Sequence, residues 1–328
     1  MNKFLITICL IFCPLSYSCT KQTLQATSQV TNQAYLTISF GETTTKATGS
    51  YEDYDDEIKS LYLYIFDNDT ETLEELHIAT TAELTLKKIV LKHTIGTKHI
   101  HLLANTATED DNTLKSIKSL DELRASAYNL KNFDANKISM SGSQSNITLV
   151  ESIESNATIS LERNAARINL KEVINEYEKP FTIDSIYFLD ATPHASYYDC
   201  STVQLIEPYD RMTEGFNFQN YDIITGGKLI ESGTTFSDIQ PKGTHYFLFE
   251  NTSSVNPTSL VITGTIEGTR VYYSTALVGS SSIMHNNHYD ITIYITDMGT
   301  SSPEIDIFGC NALVTVSDWQ EISNDVIF

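Results

Sequence analysis

Short segments in which apolar and polar residues alternate recur along the whole chain, and this pattern constrains the fold more than any other feature. Ala34–Phe40 (AYLTISF) places Leu36 and Ile38 on one face of a strand and Tyr35, Thr37 and Ser39 on the other. The chain also holds 18 Tyr and 14 Phe, while only 19% of its residues are charged, which favours strands over long helices. The sequence therefore predicts an all-β fold.

Segments of this kind, punctuated by turn residues, fall into two sets. In the first half, strands are predicted at Ala34–Phe40, Ile58–Phe66, Leu84–Leu91, Lys98–Ala104, Ile147–Val150 and Thr158–Leu170. Helical spacing predicts one minor helix there, Leu114–Leu130. In the second half, strands are predicted at Thr182–Leu189, Gly243–Phe249, Ser259–Glu267, Thr269–Ala276, His288–Ile295 and Asn311–Val316. Each set suggests a β-sandwich.

A charged stretch separates the two sets. Lys171–Lys179, closed by Pro180, contains few strand-forming residues and predicts a hinge. With 328 residues, the chain is long enough for two domains after a leader. We expect one sandwich over residues 47–174 and a second over residues 175–328.

The N-terminus has the features of an export signal. Met1–Ser18 combines Lys3 with an apolar run that is too short to span a bilayer. The next residues, Leu15–Cys19, are similar to a bacterial lipobox, although Ser16 stands where Leu is usual. We expect Cys19 to carry lipid at the outer membrane; the alternative is ordinary secretion without a lipid.

Charge and cysteine usage narrow the class of protein further. A formal net charge of −21 argues against nucleic-acid binding. Once the signal has been removed and Cys19 lipidated, Cys200 and Cys310 remain. They could form a disulfide in an oxidising compartment, or both could be buried free thiols.

Catalytic and metal-binding motifs are missing from the sequence. His99 and His101 share one face of a predicted strand, but no nearby acid or cysteine completes a ligand set. The acidic runs Glu52–Glu57 and Glu109–Asp111 do not have the ligand spacing of a calcium loop. We expect no metal, no cofactor and no enzymatic activity.

Several segments, taken in order, resemble the FimA-type fimbrillins, the subunits of type V pili. They are Glu57–Asp67, His101–Asn105 (HLLAN), Met140–Gly142, Glu162–Leu170 (ERNAARINL), Phe249–Asn251 (FEN), Pro257–Gly264, Asn287–Ile295 (NHYDITIYI) and Asn311–Trp319 (NALVTVSDW). Each segment alone is a weak strand pattern, but their order and spacing together carry the resemblance.

The resemblance implies a fold and an assembly mechanism. Fimbrillins have two transthyretin-like β-sandwiches and are exported as outer membrane lipoproteins that end up in adhesive cell-surface fimbriae. A trypsin-like protease cuts after the first strand, and the C-terminal segment of another pilin subunit fills the groove that this strand leaves. Such β-strand addition draws affinity from backbone hydrogen bonds and register from alternating side chains. Because the contact is heterologous, it propagates a filament.

Carried over to this chain, residues 19–46 form a lipidated leader that includes the removable strand Ala34–Phe40, and Lys46–Ala47 is the expected cut. The family's usual Arg is missing here, because the first Arg of the chain is Arg124.

The expected donor strand is the tail, Gln320–Phe328, with the preceding Leu313, Val314 and Val316. Its residues Ile322, Val326 and Phe328 share one face of an extended segment. Trp319 would anchor the end of the second domain. The alternative is that the tail completes the second domain's own sheet.

Two further alternatives stay open. Within the family, the chain could be a lipid-retaining anchor or a tip subunit. Outside it, the chain could be a monomeric surface lipoprotein that binds host glycans or proteins.

Overall fold

The computed structural model describes residues 32–41, 57–200, 222–237, 246–253, 257–277, 283–302 and 310–318. For residues 131, 222–226 and 310–318 it describes the backbone alone. The predicted signal (1–18), Cys19, Lys46, Ala47 and residues 319–328 lie outside the described residues. Residues 33–328 cluster as one unit that is distinct from residues 1–32.

Strands dominate the described part of the chain, as the sequence predicts. The strands up to residue 163 are β1 Gln33–Gly41, β2 Leu61–Asp67, β3 Leu73–Ile78, β4 Lys88–Thr94, β5 Gly96–Ala104, β6 Ala127–Asn129, β7 Met140–Leu149, β8 Glu154–Ser160 and β9 Glu162–Arg163. Three short helices accompany them: α1 Thr81–Leu86, α2 Asp111–Ser116 and α3 Leu120–Arg124. The later strands are β10 Ala165–Asn175, β11 Phe181–Leu189, β12 His194–Ser196, β13 Asp222–Ile230, β14 Thr234–Phe236, β15 Tyr246–Phe249, β16 Ser259–Ile266, β17 Thr269–Ala276, β18 Asn287–Ile295 and β19 Cys310–Asp318.

The first sandwich consists of a three-stranded sheet, in the order β4-β1-β8, and a five-stranded sheet, in the order β3-β2-β5-β7-β9. Their inner faces share one buried apolar cluster, the first core. Its members are Ala34, Leu36, Ile38, Phe40, Leu61, Leu63, Ile65, Ile89, Ile100, Leu102, Ala104, Met140, Ile147, Leu149, Ala157, Ile159 and Leu161. Alternating residues of β1, β2 and β5 point into this core, as the period of two requires.

The second sandwich repeats the connectivity of the first. Its sheet β13-β11-β16-β17 corresponds to β3-β2-β5-β7, and both are antiparallel throughout. In its other sheet, β10 pairs antiparallel with β14 and β15 and parallel with β18, as β1 pairs antiparallel with β4 and parallel with β8. β10 is therefore the counterpart of β1, and β19 is an additional strand on the outer edge of β18.

Another apolar cluster, the joint core, lies on the outer face of the sheet β3-β2-β5-β7-β9. In β2, Leu63 and Ile65 point into the first core, whereas Tyr64 and Phe66 point into the joint core. The joint core also contains residues from α2, α3, β6 and β15, so that it joins the two sandwiches. The short strand β12 pairs with β6 across the same region.

The strand predicted at Leu84–Leu91 is wrong in its first part, which is the end of α1. Thr80 caps this helix: its side chain accepts a hydrogen bond from the Glu83 backbone, and the Glu83 carboxylate accepts one from the Thr80 backbone. Lys87 ends the helix in the left-handed conformation, with φ 49° and ψ 39°. This reciprocal cap outweighs the strand propensity of the segment until β4 begins.

The single helix predicted at Leu114–Leu130 is also wrong in extent. Ile117 is extended, with φ −56° and ψ 133°, and it separates α2 from α3. Ser119 then caps α3 by accepting a hydrogen bond from the Glu122 backbone at 3.2 Å. The apolar spacing is nevertheless meaningful, because Leu114, Leu120 and Leu123 are buried in the joint core.

The hinge predicted at Lys171–Lys179 begins later than expected, because β10 continues to Asn175. Val173 is fully buried, and this part of β10 pairs with β14 and β18. Lys171 and Glu172 lie on this strand, whereas Glu176, Glu178 and Lys179 lie in the short connection to β11. β10 thus pairs with strands of the second sandwich before residue 175 is reached.

Candidate functional site

β1 contains Ala34–Phe40, the strand that is expected to be removed by proteolysis. It occupies the middle of its sheet. On one side β4 runs antiparallel, with Ile38 opposite Ile89. On the other side β8 runs parallel, with Ile38 opposite Ala157 and Phe40 opposite Ile159. We call the space that β1 fills between β4 and β8 the β1 slot.

The inner face of β1 is apolar and almost completely buried. Ala34, Leu36, Ile38 and Phe40 expose 1%, 0%, 0% and 5% of their surface, respectively. Fully burying a Leu, Ile or Phe side chain contributes about 1.5–3 kcal/mol. Without β1, the slot would be an apolar groove flanked by two unpaired strand edges, which is an arrangement that favours the binding of another strand.

The outer face of β1 is polar and carries one specific tie to its parallel neighbour. The Thr37 hydroxyl donates a hydrogen bond to Oε1 of Glu154 at 2.8 Å, and Thr37 is only 4% exposed. Tyr35, two residues earlier, is 55% exposed. The alternation of the strand places both residues on this face but gives no sign of the contact, because 117 positions separate Thr37 from Glu154.

A buried lysine lies near the end of the slot where β1 begins. Lys98 Nζ is 2.7 Å from Oε2 of Glu74, and the Lys98 side chain is only 2% exposed. His93, which lies opposite Ala34, is 3.5 Å from the same carboxylate through Nδ1. Because the buried ammonium group is paired, its desolvation cost is offset. No motif in the sequence points to this cluster.

The segment proposed for donation is described only in part. Leu313, Val314 and Val316 lie on β19, which pairs antiparallel with β18 at the edge of the second sandwich. For residues 310–318, the structure therefore has the arrangement in which the C-terminus completes its own sheet. Trp319, Ile322, Val326 and Phe328 lie outside the described residues.

Cys200 is a free, buried thiol. In this structure it therefore does not form the disulfide suggested for Cys200 and Cys310. Its Sγ donates a hydrogen bond to Oδ1 of Asn164 at 3.0 Å and lies 2.9 Å from the Ser141 hydroxyl. Burial raises the pKa of this thiol to about 12. The side chain is accommodated as a small buried residue that needs no covalent partner.

His101, noted in the sequence, and His285 have structural partners. His101 is fully buried and stacks on Tyr198 with ring centroids 5.0 Å apart, and burial lowers its pKa to about 3. For His285, burial lowers the pKa, but the hydrogen bond and charge of Glu250 and the charge of Glu162 outweigh burial and raise it overall. Within the described ranges, no group of three or more His, Cys, Asp or Glu could hold a metal ion.

The described residues also contain no helix that is long and apolar enough to cross a membrane.

Comparison with known proteins gives one family match. The model of the family described as "Major fimbrial subunit protein (FimA)" matches residues 34–174. No curated protein matches the chain.

Among solved structures, a fimbrilin (FimA) from Porphyromonas gingivalis W83 superposes with a TM-score of 0.64 at 17% identity, covering 88% of this chain and 98% of that one. A candidate cell adhesion protein from Bacteroides eggerthii gives a TM-score of 0.62 at 18% identity, over 88% and 96% of the two chains. The C-terminally truncated tip fimbrial protein Mfa3 from P. gingivalis gives 0.51 at 14% identity, over 88% and 100%. At these identities the likeness establishes the fold.

Proposed function

Because residues 34–174 belong to the FimA major fimbrial subunit family, we propose that the chain is a structural subunit of a type V pilus, assembled by protease-triggered strand exchange and supporting adhesion. The family consists of fimbrial structural subunits, so the expectation that the chain is not an enzyme is confirmed. We also propose that its two sandwiches are the tandem transthyretin-like domains of fimbrillins.

The burial of β1 is the observation that carries this proposal. β1 is central in its sheet, apolar on its inner face and hydrogen bonded along both edges. Losing it would expose apolar side chains of the first core to water. A strand from another copy would restore both hydrogen-bonded edges and refill the groove.

The chain that follows β1 supplies a place for processing. Lys46 lies in the polar segment between Gly41 and Gly49, five residues after β1 ends. A cut at Lys46–Ala47 would leave β1 attached to the sandwich by non-covalent contacts alone. We propose that a trypsin-like protease makes this cut and that lipidated Cys19 holds the precursor at the outer membrane until then.

The sequence of the tail matches the slot in length and spacing. Ile322 and Phe328 are six residues apart, as are Ala34 and Phe40 at the two ends of the inner face of β1. Val326 shares their parity, so one face of the extended tail presents three apolar side chains. We propose that these side chains enter the slot of the next copy, with Trp319 marking the end of the folded domain.

The mature N-terminus tests this function. Mass spectrometry would compare protein sheared from intact cells with protein that remains in the outer membrane. A start at Ala47 in sheared material is the expected result. Acylated Cys19 with residues 34–40 still attached in all material would instead identify an anchor or a lipoprotein that never polymerises.

Two variants test the mechanism. Deleting Asn324–Phe328 should prevent polymerisation and leave the monomer folded, and Lys46→Ala should give an exported precursor that does not polymerise. Normal filaments from Lys46→Ala would remove this residue from the mechanism, and an unfolded tail-deleted monomer would mean that the tail acts within its own chain.

A further inference from the structure

Three large apolar side chains that remain after the proposed cut are exposed at the end of the first sandwich where β1 begins. They are Ile95 (38% exposed), Val150 (46%) and Ile153 (55%), and we call them the distal rim. A single exposed apolar residue needs no explanation. Three at one end of a sandwich point to a surface that is covered in the assembled protein.

Strand pairing places the distal rim around the mouth of the β1 slot. Ile95 lies in the turn between β4 and β5, next to Thr94, which is paired with Gln33. Val150 and Ile153 lie in the turn between β7 and β8, which is closed by a hydrogen bond from Ile153 N to Val150 O at 3.1 Å. Tyr35 on β1 itself pairs with Glu154, the residue after Ile153.

The direction of the slot indicates which molecule covers the distal rim. β1 is antiparallel to β4 and parallel to β8, and these two pairings have different hydrogen-bond patterns. A replacement strand that keeps both patterns runs in the direction of β1 and enters at the Gln33 end. The body of the copy that donates the strand must then lie next to this end.

We propose that the distal rim is the surface on which the strand-donating copy of the same chain docks. The second sandwich of that copy covers the distal rim in the filament. This inference rests on the proposed strand exchange and adds to it a second contact that the slot does not require. The proposed cut removes residues up to 46, including β1, and leaves Ile95, Val150 and Ile153 on the mature subunit beside the opened slot. Apolar contact suits these copies, because the full chain has a net charge of −21, the proposed cut removes three Lys and only one Glu, and ionic attraction between copies is therefore disfavoured.

The test uses the full-length chain with the double substitution Val150→Asp and Ile153→Asp. Leu86→Asp is the matched control, because Leu86 is 73% exposed and lies on α1, outside the distal rim. After processing, the rim variant should form at least about tenfold less polymer than wild type at limiting concentration, while Leu86→Asp polymerises normally. Thermal unfolding of each monomer would check that the substitutions leave the fold intact.

A crosslink identifies the occupant. A photo-reactive amino acid at position 153, in an equal mixture of isotope-labelled and unlabelled copies, should link to residues 175–328 of a different copy in the polymer. Links within one copy only, or normal assembly of the rim variant, would overturn the inference. Loss of assembly on deleting Asn324–Phe328 would, in that case, still support strand exchange. If the tail-deleted chain also polymerises, both the proposed function and this inference fail.

Discussion

At the scale of single residues, Cys200 has an environment that suppresses thiol chemistry. The thiolate is the reactive form, and burial keeps the pKa of Cys200 at about 12. We expect no alkylation of Cys200 in the native protein from pH 7 to 9 and rapid alkylation after unfolding. Peptide mapping after iodoacetamide treatment measures both, and native labelling at pH 7 would contradict the buried position.

His285 makes the stability of the second sandwich depend on pH. Its pKa is raised in the folded state, despite burial, by the carboxylate of Glu250, whose Oε2 is 2.7 Å from Nδ1. A raised folded-state pKa means that the contribution is complete below the unfolded value of about 6.5 and is lost as pH rises through the folded pKa. The melting temperature of wild type should therefore exceed that of His285→Gln most at pH 5.5 and least at pH 8.5. Melting curves that differ by a constant amount across this range would contradict the prediction.

At the scale of elements, β1 should contribute to the stability of the precursor but not to that of the filament. Ile38→Ala creates a cavity in the first core and should lower the unfolding free energy of the precursor by about 2–5 kcal/mol. In the polymer the same substitution should have no effect, because the substituted strand has been removed. Thermal unfolding of precursor and sheared polymer measures the two values.

Ile100→Ala is the matched control for this experiment. Ile100 is fully buried in the same core but lies on β5, which stays in the mature subunit. Its substitution should destabilise precursor and polymer alike. Equal destabilisation of the polymer by Ile38→Ala would show that β1 remains in place.

The sequence predicts those strands in which apolar and polar residues alternate strongly, because this pattern can be recognised without knowing which strands lie beside them. β1, β2 and β18 lie close to their expected positions, and Leu36 and Ile38 point into the core as expected. The segment containing α1 was missed, although Thr80 and Glu83 have the spacing of a capping box and could have indicated a helix start.

What the sequence could not give is pairing between distant segments. The contact between Thr37 and Glu154, the parallel pairing of β1 with β8 and the position of the distal rim all depend on residues more than 50 positions apart. The joint core is a related case. Tyr64 and Phe66 occupy the outward positions of an alternating strand, and only tertiary structure reveals that this second face is also buried.

At the scale of the whole molecule, the negative charge should control the rate of assembly. The full chain has a net charge of −21 and the proposed cut removes three Lys and one Glu, so processed copies repel one another over a Debye length, which shrinks from about 30 Å at 0.01 M salt to about 8 Å at 0.15 M. We expect processed subunits to polymerise faster as salt increases over this range, as followed by light scattering. Slower assembly at higher salt would mean that opposite charges attract at the contact.

The repeated connectivity of the two sandwiches limits how copies can be linked. β10 is the counterpart of β1, but it follows directly from β9, so no cut in the leader can release it. Under the proposed strand exchange, each processed copy would be, in polymer terms, a bifunctional monomer with one acceptor and one donor, and such monomers give unbranched chains with two unlike ends. A copy that retains β1 would donate but not accept, which would make it a chain stopper. The ratio of uncut to cut copies would therefore set the mean length of the filament.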